Sequence, residues 1–346
     1  MGKMRWEKWV SSSSGFDKES SLAIKGLAIL LMIAHHLFAF SRPLTLALDY
    51  GENKQLYRFI GVSGKMCVVM FMFVAGYGTF VSLQGKSNLF GLLLKKVKAI
   101  YFEFWKISAF PIIGLLLLGL LNVGLFEFVA NALCLSSSIN GTWWFLQTYI
   151  IFLLLVPVSF MLVSVTKYAQ LLILLVVVVI FPLLSKYAPD GYFRSSIHYA
   201  FYYFPAFYCG IFFAKHQIYN RVLSVFVKRS SQALLFGVVL ALAFAVRIVW
   251  GFNIATILIV AALCGFASLW RIRFFVLLGE YSMGMWLIHD FFIDPRYLSK
   301  WMILITDSPI LIFLAIALIS YFLAYVISRF WTSVDRVITG SALQKY

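Results

Sequence analysis

A chain of 346 residues that is 62% hydrophobic and 12% charged, with a mean hydropathy of +0.92, is an integral membrane protein. Apolar runs follow one another through almost its whole length and leave no room for a separate soluble domain. The net charge of +16 does not call for nucleic acid, because most of it lies in short stretches between the runs, where cytoplasmic loops collect Lys and Arg.

Residues 1–20 are polar and basic. Trp6 and Trp9, set among Lys3, Arg5 and Lys8, suggest a short segment lying on the membrane surface, and Ser11–Ser14 a flexible lead-in. Ten apolar segments of bilayer length follow, near 22–41, 59–83, 99–121, 143–165, 168–186, 197–216, 231–250, 252–270, 274–293 and 309–331. Residues 122–142 are short, apolar and free of Lys and Arg, as an interfacial or re-entrant piece would be. The sequence thus predicts an all-α integral membrane fold. A bundle of about ten transmembrane helices spans residues 21–331, between a lead-in of 1–20 and a tail of 332–346. The N-terminal tail, the even-numbered loops and the C-terminus carry 18 Lys or Arg, against 7 in the odd-numbered loops. That bias places both termini in the cytoplasm.

This orientation sorts the intramembrane charges into two tiers. Lys25, Glu103, Lys106 and Glu280 fall near the inner face, and His35, His36, Lys65, Arg247, His289 and Asp290 near the outer face. Such groups are costly at membrane depth and mark function unless a neighbour satisfies them. Glu103 and Lys106, three apart on one helix, are expected to neutralise each other. Arg247 is expected to snorkel to the surface, and Lys65 has the same option. Cys67, Cys134, Cys209 and Cys264 stand singly in or beside apolar runs and read as small buried residues, with no metal-ligand spacing.

The richest stretch is Ser21–Phe40, SLAIKGLAILLMIAHHLFAF. Lys25 and His36 lie eleven residues apart, about three helical turns, so they leave the same face with a rise of about 16 Å between them. His35 points about 100° away from His36, and a helix-packing hydrogen bond is its expected role. Near the other end of the chain, His289 shares a face with Ser282 and Met285, while Glu280 points the opposite way.

The Lys25–ten residues–His36 spacing resembles the first helix of the membrane-bound acyltransferase-3 family, with lysine where the family has arginine. Further stretches resemble family landmarks in order: MFMFVAGYGTF (70–80), LLLKKVKAIYFEFW (92–105), TWWFLQTYIIFLLLVP (142–157), FPAFYCGIFFAK (204–215) and LLGEYSMGMWLIHDFF (277–292). The departures are Ala75-Gly76-Tyr77 where Ser-Gly-Phe is usual, lysines 96 and 98 where arginines are usual, and a missing proline near the third helix. The resemblance implies an O-acyltransferase that moves an acetyl or other short acyl group from cytoplasmic acetyl-CoA to a carbohydrate hydroxyl. The implied acceptor is a cell-envelope polymer or its lipid-linked precursor, and the implied site is a multi-pass cell membrane, that of a bacterial cytoplasm.

Transfer from a thioester to a hydroxyl needs a base, and His36 suits it, whether it acts as base or carries the acyl group itself. It needs donors for the developing oxyanion, from Lys65 or from a Tyr or Trp hydrogen. It also needs cations for the CoA phosphates, and Lys25, Lys95, Lys96 and Lys98 lie in the inner tier. His289 completes the expected catalytic set of His36, Lys25 and Lys65. With the nucleotide held at the inner tier, the long pantetheine arm could carry the acetyl group across to His36. The rival reading is a transporter or flippase of a lipid-linked sugar, against which stands the lack of an internal repeat.

Overall fold

The computed structural model describes residues 15–184, 187, 194–250 and 253–339. The expected surface segment around Trp6 and Trp9, the Ser11–Ser14 run and the last residues of the tail lie outside them. Among the described residues every regular element is a helix. Among the described residues five helices are long and apolar enough to cross a membrane: Lys18–Phe38, Gly51–Leu83, Leu89–Leu117, Arg229–Arg247 and Pro309–Ile338. Counting Gly141–Leu154 with Val156–Leu162, and Ile254–Leu269 with Arg273–Glu280, as one span each raises the number to seven. Among the described residues some helix falls within each of the ten predicted segments, but only five to seven make a full span by length and apolarity. Residues 122–142 form one short helix, Leu125–Ala132, an irregular stretch after it and the start of the 3-10 turn Gly141–Trp143.

The chain divides into two compact units. The first comprises the residues up to Ala28, Val68–Ser87 and Leu155–Glu280. Asp17 caps the first helix, its carboxylate accepting from the Ser20 amide at 2.9 Å and hydroxyl at 2.8 Å. Arg271 pairs with Asp17 at 3.1 Å and Glu19 at 3.6 Å and fastens this end. Helix Arg273–Glu280, turned by 113° from the helix before it, meets the first helix backbone to backbone. A Cβ on Gly26 would stand 1.9 Å from the Phe275 carbonyl oxygen, and one on Gly279 1.9 Å from that of Leu22, so only glycine fits at either place. Lys25 is half-buried here, as is Arg247, and Glu280 is exposed.

The second unit comprises Ile29–Cys67, Asn88–Leu154 and Tyr281 onward. Helix Ser282–His289 packs against Leu89–Leu117 and Pro309–Thr339, and Gly284 admits Ala324 at a distance that a Cβ would close to 2.6 Å. The expected Glu103–Lys106 pair does not form. Lys106 bonds instead to Asp335 at 3.1 Å, on the long helix that also bonds the Lys106 carbonyl through the Trp331 indole, while Glu103 is exposed. A through-space carboxylate on a packed neighbour displaces one three residues away on the same helix. The second predicted segment lies within the one span Gly51–Leu83, with Lys65 as a single turn residue between Lys54–Gly64 and Met66–Leu83.

Candidate functional site

The second unit brings His36 and His289 together from positions 253 apart in sequence. His36 Nδ1 lies 2.7 Å from His289 Nε2, with the rings 5.0 Å apart and inclined by 6°. His36 is half-buried and stands in the last turn of the first helix. His289 is 0% exposed, at the end of the short helix Ser282–His289. Its Nδ1 faces the carbonyl oxygens of Trp286 at 2.8 Å and Met285 at 3.1 Å.

Local sequence explains how each group reaches this place. Gly64 lets the helix Lys54–Gly64 lie on the first helix, where a Cβ would stand 2.4 Å from the Leu31 carbonyl oxygen. His35 Nδ1 then donates to the Gly61 carbonyl at 2.7 Å, the packing bond expected of it. After the first helix, Pro43 opens a short helix, Pro43–Ala47, whose Thr45 hydroxyl donates back to the Leu37 carbonyl at 2.6 Å. That fold-back carries Arg42 to Asp290, the residue after His289, where Nη1 meets Oδ1 at 2.7 Å. Asp290 is 1% exposed and Arg42 25%.

A second strap holds the other side. Asn140 Nδ2 donates to the Leu287 carbonyl at 3.3 Å, Tyr297 to the Ile139 carbonyl at 2.7 Å and Arg296 to the Ser138 carbonyl at 2.6 Å. Arg296 also grips Asp294 at 2.8 Å. Burial works against ionisation of Asp294, but the Arg296 guanidinium and backbone N–H outweigh it and hold its carboxyl below the usual range. The strap leads into Trp143, a fully buried side chain set edge-on to Phe104 at 4.9 Å and to Phe291 at 6.2 Å. The Trp143 indole N–H is buried without a hydrogen-bond partner.

Of the residues singled out in the sequence, the structure joins His36 to His289 directly. Lys65 is half-buried at the turn within its span, within electrostatic range of His35. Lys95 and Lys98 are exposed and Lys96 half-buried near the start of Leu89–Leu117. Lys25 belongs to the first unit. Arg42, Asn140 and Trp143 were not singled out. Arg42 reads from sequence as one more loop cation. The signal that finds it is Asp290, a carboxylate in an apolar segment that needs a cation. Among the described residues no group of three or more His, Cys, Asp and Glu side chains could hold a metal ion, and all four cysteines are free and buried.

An all-helical membrane protein that holds a histidine pair beside an ion pair defines a class in which polar groups are held inside a set of apolar helices. The particular family follows from comparison of the chain with known families. The model of an acyltransferase domain, that of the acyltransferase-3 family, matches residues 21–329, and the chain belongs to this family. No curated protein and no solved structure matches it.

Proposed function

We propose that this membrane acyltransferase moves an acetyl or other short acyl group from cytoplasmic acyl-CoA to a hydroxyl of a cell-envelope carbohydrate, with His36 as general base. The observation that carries the reading is the contrast within the histidine pair. His36 keeps partial exposure, whereas His289 is 0% exposed. In the step proposed, the acceptor O–H gives its proton to His36 while its oxygen attacks the thioester carbonyl carbon. The C–S bond breaks, and the CoA thiolate takes the proton back from the imidazolium. Lys65 is proposed to stabilise the oxyanion, and the buried Trp143 N–H, in the same unit, is a further donor of the right type. Lys25, Lys95, Lys96 and Lys98 are proposed to hold the CoA phosphates, each as a point charge.

The test is purified protein in liposomes with acetyl-CoA and extracted envelope glycan. Free CoA should appear together with acetylated glycan detected by mass. Intact acetyl-CoA after prolonged incubation would sink the enzyme reading in favour of a flippase. In the same assay Lys25→Arg should keep more activity than Lys25→Ala; full activity in Lys25→Ala removes that residue from the site.

The proposal keeps ten crossings with both termini cytoplasmic, as the loop charges suggest. The four native cysteines are buried, so a cysteine introduced at an exposed loop position reports cleanly on sidedness. In intact cells an impermeant maleimide should label Glu52→Cys and spare Lys228→Cys. Labelling at 228 from outside overturns the topology.

A further inference from the structure

Carbonyl oxygens only accept hydrogen bonds, so a nitrogen bonded to two of them must carry a proton. His289 Nδ1 is such a nitrogen, held by Trp286 and Met285 of its own helical turn. Its Nε2 would carry a second proton only if His289 were an imidazolium. A cation at a residue 0% exposed needs a counter-ion. The adjacent carboxylate, Asp290, is already committed to Arg42 at 2.7 Å. His289 is therefore neutral and presents a lone pair at Nε2. The 2.7 Å contact then has one direction only, with His36 Nδ1 donating to His289 Nε2.

From this chain of bonds we infer that His289 is a positioning residue that fixes His36 as its Nδ1–H tautomer and leaves the basic lone pair on His36 Nε2. The inference rests on the reading of His36 as base and adds which atom takes the proton and what holds it in that role. A lone imidazole in water divides its proton between both nitrogens and spins about its side-chain bonds. Here one bond, closed behind by a wholly buried ring, sets both tautomer and ring plane. When His36 takes up the acceptor proton at Nε2, the bond from Nδ1 to His289 remains and delocalises part of the positive charge into an acceptor. His289 thus works on both sides of the step without meeting the substrate.

The geometry also says which replacement can stand in. Glutamine offers an amide oxygen near the place of Nε2 and an amide N–H, so His289→Gln keeps an acceptor for His36. His289→Leu fills similar space and offers none. Nitrogen-15 magic-angle spinning spectra of histidine-labelled protein in liposomes read the tautomer directly, with the His36 signals identified by their loss in His36→Gln. The expected wild-type result is a protonated Nδ1 and bare Nε2 at His36. His289→Leu should lose that preference and lower kcat roughly 100-fold with KM for acetyl-CoA little changed, while His289→Gln stays within about tenfold of wild type. A wild-type spectrum with the proton on His36 Nε2 overturns the inference even if no variant folds. So does a His289→Leu enzyme with normal kcat. If instead His36→Ala itself retains full activity while the wild-type tautomer is as expected, the choice of base is what fails, and the bond geometry stands.

Discussion

His36→Ala should lower acyl transfer by roughly a hundredfold or more, the range that loss of a positioned general base brings, with the protein still made and inserted. His35→Ala should act differently, although the two are chain neighbours. The His35 imidazole is spent on the Gly61 carbonyl, so its loss removes one packing bond, leaves one buried acceptor unpaired and costs about 1–3 kcal/mol of stability. Its kcat, measured on protein purified at equal folded fraction, should lie within about tenfold of wild type. The comparison separates chemistry from packing because both variants remove the same ring from the same turn. Equal loss of kcat in both would mean that the face of the helix does not matter, and the assignment of His36 would fall.

How much of this was legible before the fold was known depends on the reach of each interaction. That His35 and His36 face different partners was legible, because about 100° of helix rotation between neighbours is a local fact. The partner of His36 was not. Residues 36 and 289 are each conspicuous as imidazoles in apolar runs, yet nothing local says that they meet. Breaks in the helices were equally hidden. Residues 274–293 read as one unbroken apolar run, but helix Arg273–Glu280 stops at Tyr281 and Ser282–His289 follows it. Lys106 shows the same limit. A carboxylate three residues away looked sufficient, and one 229 residues away takes its place because the long last helix lies alongside.

Arg42 gives the second large effect, and it should fall unequally on the two members of its ion pair. Asp290 is 1% exposed, so Arg42→Met strands a carboxylate with no route to water and should cost about 3 kcal/mol or more. Arg42 is 25% exposed and can turn its guanidinium outward, so Asp290→Asn should cost only about 1.5 kcal/mol. Arg42→Met with Asp290→Leu removes both charges and should recover most of the stability lost in Arg42→Met alone. Unfolding in mixed micelles by increasing denaturing detergent ranks the three. Equal losses in the two single variants would show that solvent reaches both sides of the pair. The same logic reaches the histidines. Without Arg42, the Asp290 carboxylate is free to hold His289 as an imidazolium, which reverses the bond to His36 and puts a proton on His36 Nε2. Arg42→Met should therefore lose activity beyond its loss of folded protein, and Arg42→Met with Asp290→Leu, which offers no counter-ion, should regain it. An Arg42→Met enzyme whose folded fraction works at the wild-type rate would show that the ion pair serves stability alone.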